Sequence, residues 1–282
     1  QETFGKGRKS MKRKFRVSRI FLYLFLIIVS FICVFPFYWM IVGSTNTPIQ
    51  IIAGKMTFGS HFVENFHTLF NNYNMLRILM NSLKISGISV ILILLIGGMA
   101  GYGFQMYKSN LKEKLYGFFL LTMMVPFATL MIPLFKIVTK LNLLDTHFAV
   151  IIVSAVSAFM IFFFRQSFLN YPTEILEAAR VDGAGEFRIF FNIFVPSMKS
   201  TFAAAAIYSF ITSWNSYLWP LIVLQSNEKK TTTLLISMMS SSYTPEYGVI
   251  MLAIVVATLP TIIIFFAFQK QFVQGMLGSV KQ

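Results

Sequence analysis

The stretch Ile20–Val42, IFLYLFLIIVSFICVFPFYWMIV, runs for 23 residues without a charged side chain. A helix needs roughly 20 apolar residues to cross a hydrocarbon core about 30 Å thick. A cleavable signal peptide would end its apolar run after about 15 residues, at a site of small side chains. We therefore predict that this stretch is a permanent membrane-spanning helix and not a leader that is removed.

The rest of the chain has the same apolar character. Of its 282 residues, 56% are hydrophobic and only 12% are charged, more apolar surface than a soluble domain could cover. The sequence therefore predicts an all-α polytopic membrane protein, with one transmembrane domain over residues 20–268. We predict six transmembrane helices: Ile20–Val42, Ile85–Gly103, Leu115–Val138, Phe148–Phe164, Thr201–Leu224 and Tyr247–Phe268. Because Pro126, Pro133 and Pro220 fall inside the third and fifth, we expect these two helices to kink or to stop early.

Basic residues are concentrated ahead of the first predicted helix. Residues 1–19 contain Lys6, Arg8, Lys9, Lys12, Arg13, Lys14, Arg16 and Arg19. The positive-inside rule places such a segment in the cytoplasm, and six crossings return residues 269–282 to the same side. We therefore predict a cytoplasmic N-terminal segment and a cytoplasmic C-terminal tail. The net charge of +14 does not indicate a nucleic-acid partner, because long uncharged apolar runs separate the basic residues.

The sequence predicts neither catalytic residues nor a metal site. Its three histidines are far apart, and its single cysteine, Cys33, lies inside an apolar run. The stretch Gly5–Ser10 lacks the Gly-Lys-Ser/Thr ending of a phosphate-binding loop, so ATP is not expected to bind this chain. None of the ten acidic residues falls in a predicted span. This argues against an ion-driven secondary transporter and against a membrane-embedded enzyme, which both need buried acids.

Two smaller patterns predict local structure. Gly97 and Gly101 form a pair of small residues four positions apart in the second span, which would let another helix approach closely in lipid. Residues 63–70, in the first predicted outside loop, have the pattern of a short interfacial helix. We read both patterns as structural features and not as ligand sites.

The segment between the fourth and fifth spans, residues 165–200, is too long for a simple turn and mixes four acids with four bases. We call it the EAA segment. Pro172 and Thr173 predict a helix start, with Thr173 facing free amide groups, and Gly183 predicts the helix end. We expect Ala178 and Ala179 to share one slim face of this helix, together with Ile175, that fits a groove on a partner protein.

The EAA segment resembles the signature of a known family. Glu177-Ala178-Ala179, Gly183 and Ile193-Phe194-Val195-Pro196 follow each other at the spacing of the EAA motif of binding-protein-dependent ABC importer permeases. Val195 departs from the usual leucine but stays apolar. The chain further resembles the maltose-type permeases, which take up carbohydrates. The matching residues are Asn81-Ser82, Trp214-Asn215, Trp219-Pro220-Leu221 and Gln271–Gly275.

This resemblance implies the type I importer permease fold and a place in the bacterial inner (cytoplasmic) membrane. It also implies that the EAA segment is the coupling loop, which docks on a separate ATPase subunit. The implied coupling residues are Glu177, Ala178, Ala179, Asp182, Gly183, Ile193 and Pro196. The implied partners are a second homologous permease, two ATPase subunits that hold ATP and Mg, an extracellular solute-binding protein, and lipids. The chain itself is then a transport subunit, with no cofactor and no enzymatic reaction.

The cargo implied by the resemblance is a disaccharide or oligosaccharide. Trp214, Asn215, Tyr217 and Trp219 would offer a sugar stacking faces and hydrogen bonds, while aromatic residues near the end of a span also serve as interfacial anchors. The residues alone leave both interpretations open, and they leave glycerol phosphate or a polyol open as cargo. The loop Gln225–Glu246 resembles the family's extracellular loop that reaches the binding protein, with a solvated connector as the alternative.

Overall fold

A computed structural model of the protein describes the backbone of residues 2–277 and the side chains of residues 19–270. These residues form helices and turns, and no strand occurs among them. The helices are α1 Glu2–Gly43, α2 Pro48–Ile52, α3 Phe62–His67, α4 Met75–Met106, α5 Asn110–Thr122, α6 Phe127–Lys140, α7 His147–Ala155, α8 Ala158–Ser167, α9 Glu174–Val181, α10 Glu186–Ile189, α11 Val195–Ser197, α12 Lys199–Trp214, α13 Leu218–Val223, α14 Thr232–Ser240 and α15 Tyr247–Leu277. The side chains of the predicted cytoplasmic segment before Arg19 and of the motif Gln271–Gly275 lie outside the described residues.

The helices supply the predicted number of membrane crossings. In the part of the chain that the structure describes, three helical segments are long and apolar enough to span a membrane: Arg19–Gly43, Met75–Met106 and Tyr247–Lys270. Three bent pairs raise the number to six if each pair counts as one span. They are Asn110–Thr122 with Phe127–Lys140, bent by 102°, His147–Ala155 with Ala158–Ser167, bent by 41°, and Glu186–Ser197 with Lys199–Trp214, bent by 85°. Up to six candidate spans therefore agree with the prediction.

The expected breaks in the third and fifth spans are confirmed, the fifth between Trp214 and Leu218, but the fourth span is also broken, which was not predicted. The third breaks just before Pro126, which lacks an N–H group and disfavours helix in the residue ahead of it. In the fourth, Val156 is extended, with φ −109° and ψ 104°. Ser157 then caps a new helix, its hydroxyl accepting the Met160 N–H at 3.3 Å.

The described chain divides into two compact units, of which the first comprises the residues up to 72 together with 243–256. Its centre is the fully buried Asn46, whose amide donates to the carbonyls of Val42 and Thr57 at 2.9 Å each. A Cβ at Gly248 would lie 2.4 Å from the Asn46 carbonyl oxygen, so the start of α15 requires glycine there. The predicted helix at residues 63–70 is observed as α3, continued by a π turn.

The second unit comprises residues 73–242 and those from 257 onward, with α4 packed against α7, α8 and α12. A Cβ at Gly101 would lie 2.6 Å from the Phe164 Cβ and 3.0 Å from the Arg165 backbone nitrogen. A Cβ at Gly97 would lie 3.3 Å from the Met160 Cβ. The predicted close helix approach is therefore confirmed, and it sets the start of the EAA segment against the end of α4.

Candidate coupling site

The helix α9 carries the EAA motif and ends as the sequence predicted. Gly183 has φ +79°, its N–H donates to the Arg180 carbonyl, and the Ala184 N–H donates to the Ala179 carbonyl, both at 3.0 Å. These are the two hydrogen bonds of a Schellman motif, which uses a left-handed residue after the helix. The prediction for Thr173 is wrong, because its backbone is already helical and its side chain makes no capping hydrogen bond.

We expect Gly183→Ala to destabilise the EAA segment by about 1–2 kcal/mol, the cost of a left-handed conformation for a residue with a Cβ. A Cβ there would meet no atom within 4 Å, so the cost comes from the backbone alone. Gly183→Asn should cost less, because asparagine tolerates this conformation. The matched control is Gly185→Ala, with φ −71° and equally open space. Thermal unfolding should separate the two alanine variants, and equal melting temperatures would contradict the prediction.

The two motif alanines do not share a face, contrary to the prediction. Ala179 is buried together with Leu176, while Ala178 is exposed. Adjacent residues of a helix point about 100° apart, so the inward stripe set by Leu176 takes Ala179 and leaves Ala178 outside. The exposed side of α9 consists of Glu174, Ile175, Glu177, Ala178 and Val181. This side is therefore small, partly apolar and acidic.

An aromatic cluster lies under the EAA segment, and Phe194 is its centre. Phe194 is fully buried, and its ring centroid lies 4.6 Å from that of Phe168 and 4.7 Å from those of Tyr102 and Tyr171. The helix widens here into the π turn Phe190–Phe194. The following Pro196 explains this widening, since proline has no N–H to donate and crowds the carbonyl four residues earlier.

Among the other predicted coupling residues, Ile193 is half-buried against this cluster, while Asp182 and Pro196 are exposed. The structure thus brings Glu177, Ala178 and Asp182 to the surface and turns Ala179 inward. Phe194 is part of the quoted motif, but no structural role was predicted for it from the sequence. A large aromatic residue between motif positions was the one signal of its structural role.

An ion pair closes the turn around Gly183. The Arg180 Nε donates to the Glu186 Oε1 at 2.7 Å, and Arg180 Nη2 donates to the Tyr107 hydroxyl at 3.2 Å. The Tyr102 hydroxyl donates to Glu186 Oε2 at 3.4 Å. The hydrogen bonds with Glu186 and Tyr107 raise the pKa of Arg180. The pair fastens the EAA turn to the end of α4, and this contact was not predicted from the sequence.

A buried cation fixes the start of the EAA segment. Arg165 is buried, and its Nη2 donates to Glu113 Oε1 at 2.6 Å. Its guanidinium carbon lies 3.9 Å from the centre of the Tyr116 ring. Such charge-assisted and cation–π contacts are strongest where water is excluded. Arg165 therefore ties α5 to the end of α8.

The four residues predicted for the substrate pathway differ in their surroundings. Trp214 is buried, and its Nε1 donates to the Ala257 carbonyl at 3.1 Å. Trp219 is also buried, and its Nε1 donates to the Ala149 carbonyl at 3.0 Å. Both indole N–H groups are thus used inside the protein. Asn215 is exposed at the end of α12, and Tyr217 is half-buried against a hydrophobic cluster.

The loop at residues 225–231 is held by Asp145. The Asp145 carboxylate accepts the backbone N–H groups of Gln225 at 2.9 Å and Ser226 at 3.0 Å, and Lys229 Nζ donates to it at 3.1 Å. Partial burial alone would raise the pKa of Asp145, but the hydrogen bonds from Ser226, Lys229 and Gln225 together lower it below its ordinary value. The loop is therefore anchored by a permanently ionised carboxylate at neutral pH.

The motif Asn81-Ser82 provides a second anchor for this loop. The Asn81 amide donates to the carbonyls of Glu228 at 2.7 Å and Lys230 at 3.1 Å. The buried Ser82 hydroxyl accepts the Thr232 N–H at 2.8 Å. The start of α4 thus fixes the position of the loop and of the helix α14 that follows it.

Comparisons with known proteins agree with this architecture. Residues 93–278 match the family described as "Binding-protein-dependent transport system inner membrane component". The chain is 51% identical over 266 residues to the lactose transport system permease protein LacG of Rhizobium radiobacter, covering 94% of this chain and 97% of that protein. It is 36% identical to the arabinooligosaccharides transport system permease protein AraQ of Bacillus subtilis, covering 95% and 98%.

The fold is also similar to that of a solved structure, a bacterial ABC transporter involved in the import of the acidic polysaccharide alginate. The TM-score is 0.81 at 21% sequence identity, and the match covers 91% of this chain and 97% of that one. This likeness concerns the fold, while the family match and the two relatives concern descent. The chain therefore belongs to the family of binding-protein-dependent transport system inner membrane components.

Proposed function

We propose that this chain is the permease subunit of an ABC importer that takes up a di- or oligosaccharide delivered by an extracellular solute-binding protein. The single observation that carries the proposal is the exposed side of α9, which is held on a turn fixed to α4 by Arg180 and Glu186. The two relatives named for lactose and arabinooligosaccharides support sugar as cargo.

In this proposal the exposed side of α9 docks on an ATPase subunit that is not part of this chain. Glu177 supplies a negative charge, and Ala178 and Val181 supply a small apolar surface that suits a groove. ATP and Mg lie on that partner, and two ATPase subunits serve the permease pair. A movement of the docked ATPase would pass from α9 to α4, because Leu176 and Ala179 pack into the hydrophobic core and Arg180 forms an ion pair with Glu186.

The proposal also includes a second, homologous permease and surrounding lipid. Within Arg19–Gly43 of α1, the most apolar window of 18 residues has a mean hydropathy of 2.8, and none of that window is buried. An apolar helix of this kind needs an apolar environment, which lipid and a second permease subunit supply together. The loop at residues 225–231 then faces the binding protein.

Glu177→Arg tests the coupling role. We expect co-purification of the ATPase and ATP-dependent uptake of labelled lactose to fall about tenfold together, which corresponds to about 1.4 kcal/mol of docking energy. The melting temperature should not change, because Glu177 is exposed. The matched control is Glu64→Arg, an exposed acid outside the EAA segment. If Glu177→Arg assembled and transported like the parent, the coupling role of this helix would be refuted.

A further inference from the structure

A pocket of about 260 Å³ lies where α12 faces the break between α7 and α8. All residues that line it belong to the second unit. Hydroxyl groups dominate its polar lining: α12 contributes Tyr208, Ser209, Thr212 and Ser213, and the α7–α8 side contributes Ser154 and Ser157. Positions 208, 209, 212 and 213 fall on one face of a helix, so α12 presents its hydroxyl groups as a set.

Ser209 is the most informative of these residues. It is only 2% exposed, and its Oγ has no hydrogen-bond partner among the described residues. A buried hydroxyl without a partner costs free energy, so native structures seldom keep one without a reason. A ligand that offers its own hydroxyl groups would satisfy it.

The apolar part of the pocket fits the same kind of ligand. Trp219 lines it, with the Phe127 ring at right angles and 6.2 Å away between centroids. A sugar ring stacks its C–H face on aromatic rings and exchanges hydrogen bonds through its hydroxyl groups. None of the lining residues that the structure describes carries a charge. An anionic cargo would therefore lose its hydration without a compensating cation.

We propose that this pocket is a subsite for one neutral sugar unit of the transported carbohydrate. Ligand pockets usually begin at about 300 Å³, so a volume of about 260 Å³ suits a single ring better than a whole oligosaccharide. This inference rests on the proposed function and extends it in two ways: this subunit itself contacts the cargo, and the cargo unit bound here is uncharged.

The test is equilibrium binding of labelled lactose, and in parallel of labelled arabinotriose, to the purified complete transporter without binding protein. We expect Ser209→Ala to raise the Kd by about threefold to tenfold, the effect of losing one hydrogen bond. Its melting temperature should stay equal or rise, since an unpaired hydroxyl is removed. The matched control is Ser86→Ala on α4, whose hydroxyl is likewise buried without a partner among the described residues but does not line the pocket.

A second variant, Thr212→Val, keeps the side-chain shape at an exposed lining position and should raise the Kd in the same way, even if Ser209→Ala fails to assemble. The subsite is overturned if the parent binds and imports sugar but both variants bind it as tightly as the parent. It is also overturned if labelled sn-glycerol 3-phosphate binds and both variants weaken that binding. A parent that imports no sugar at all would instead overturn the proposed function, and the subsite with it.

Discussion

Replacing Phe194 with alanine is expected to lower the free energy of unfolding by about 3–5 kcal/mol, the usual cost of emptying a buried phenylalanine site. Phe194 is fully buried and contacts the rings of Phe168, Tyr102 and Tyr171. Because these rings join the residues before α9 to those after it, the ATPase should also be lost from the purified complex. Thermal unfolding and co-purification would measure the two effects.

The control for this variant is Phe191→Ala in the same π turn. Phe191 is 43% exposed, so its removal should cost about 1 kcal/mol or less. Similar melting temperatures for the two variants would show that the cluster under the EAA segment does not depend on Phe194.

The second large effect is expected at Gly101. Gly101→Ala should destabilise the permease by about 1–3 kcal/mol, because its Cβ would lie 2.6 Å from the Phe164 Cβ and 3.0 Å from a backbone nitrogen. The nitrogen belongs to the main chain of α8 and cannot move out of the way as a flexible side chain does. Melting temperature and the yield of folded protein in the membrane would report the loss.

Gly103→Ala on the same helix is expected to raise the stability of the permease, the opposite of Gly101→Ala. A Cβ at Gly103 would meet no atom within 4 Å, and alanine favours a helix over glycine by about 1 kcal/mol. The two substitutions are chemically identical, so their opposite signs would identify the α4–α8 crossing as the cause. If Gly101→Ala were as stable as Gly103→Ala, the close approach of the two helices would be wrong.

The number and approximate position of the spans could be predicted because apolar length alone decides membrane insertion. The break before Pro126 was predictable because proline lacks the N–H group that a helix needs and disfavours helix in the residue ahead of it. The break at Val156 could not be predicted. Serine also occurs inside apolar helices, so Ser157 is a weaker signal of a new helix start than proline is of a break. Length and composition therefore located the spans better than the bends inside them.

The candidate coupling site was predictable only where its causes are local. Gly183 ends α9 because its own backbone adopts a left-handed conformation, so the residue type was enough to predict the end of the helix. The inward turn of Ala179 depends on what lies beneath the helix, and the pairing of Arg180 with Tyr107 joins residues 73 positions apart. Trp214 shows the same limit, because an aromatic residue near a helix end looks the same in sequence whether it contacts sugar or donates to a carbonyl oxygen.

The loop at residues 225–231 is held mainly through hydrogen bonds to its backbone carbonyl and N–H groups. The Asn81 amide donates hydrogen bonds to the carbonyls of Glu228 and Lys230, and the His147 ring nitrogen lies 3.0 Å from the Lys229 carbonyl oxygen. Every amino acid carries such a carbonyl group, so most of the hydrogen bonds that hold the loop do not depend on its side chains. Evolution, or a protein engineer, can therefore exchange the displayed side chains at constant length and give one unchanged scaffold a new recognition surface.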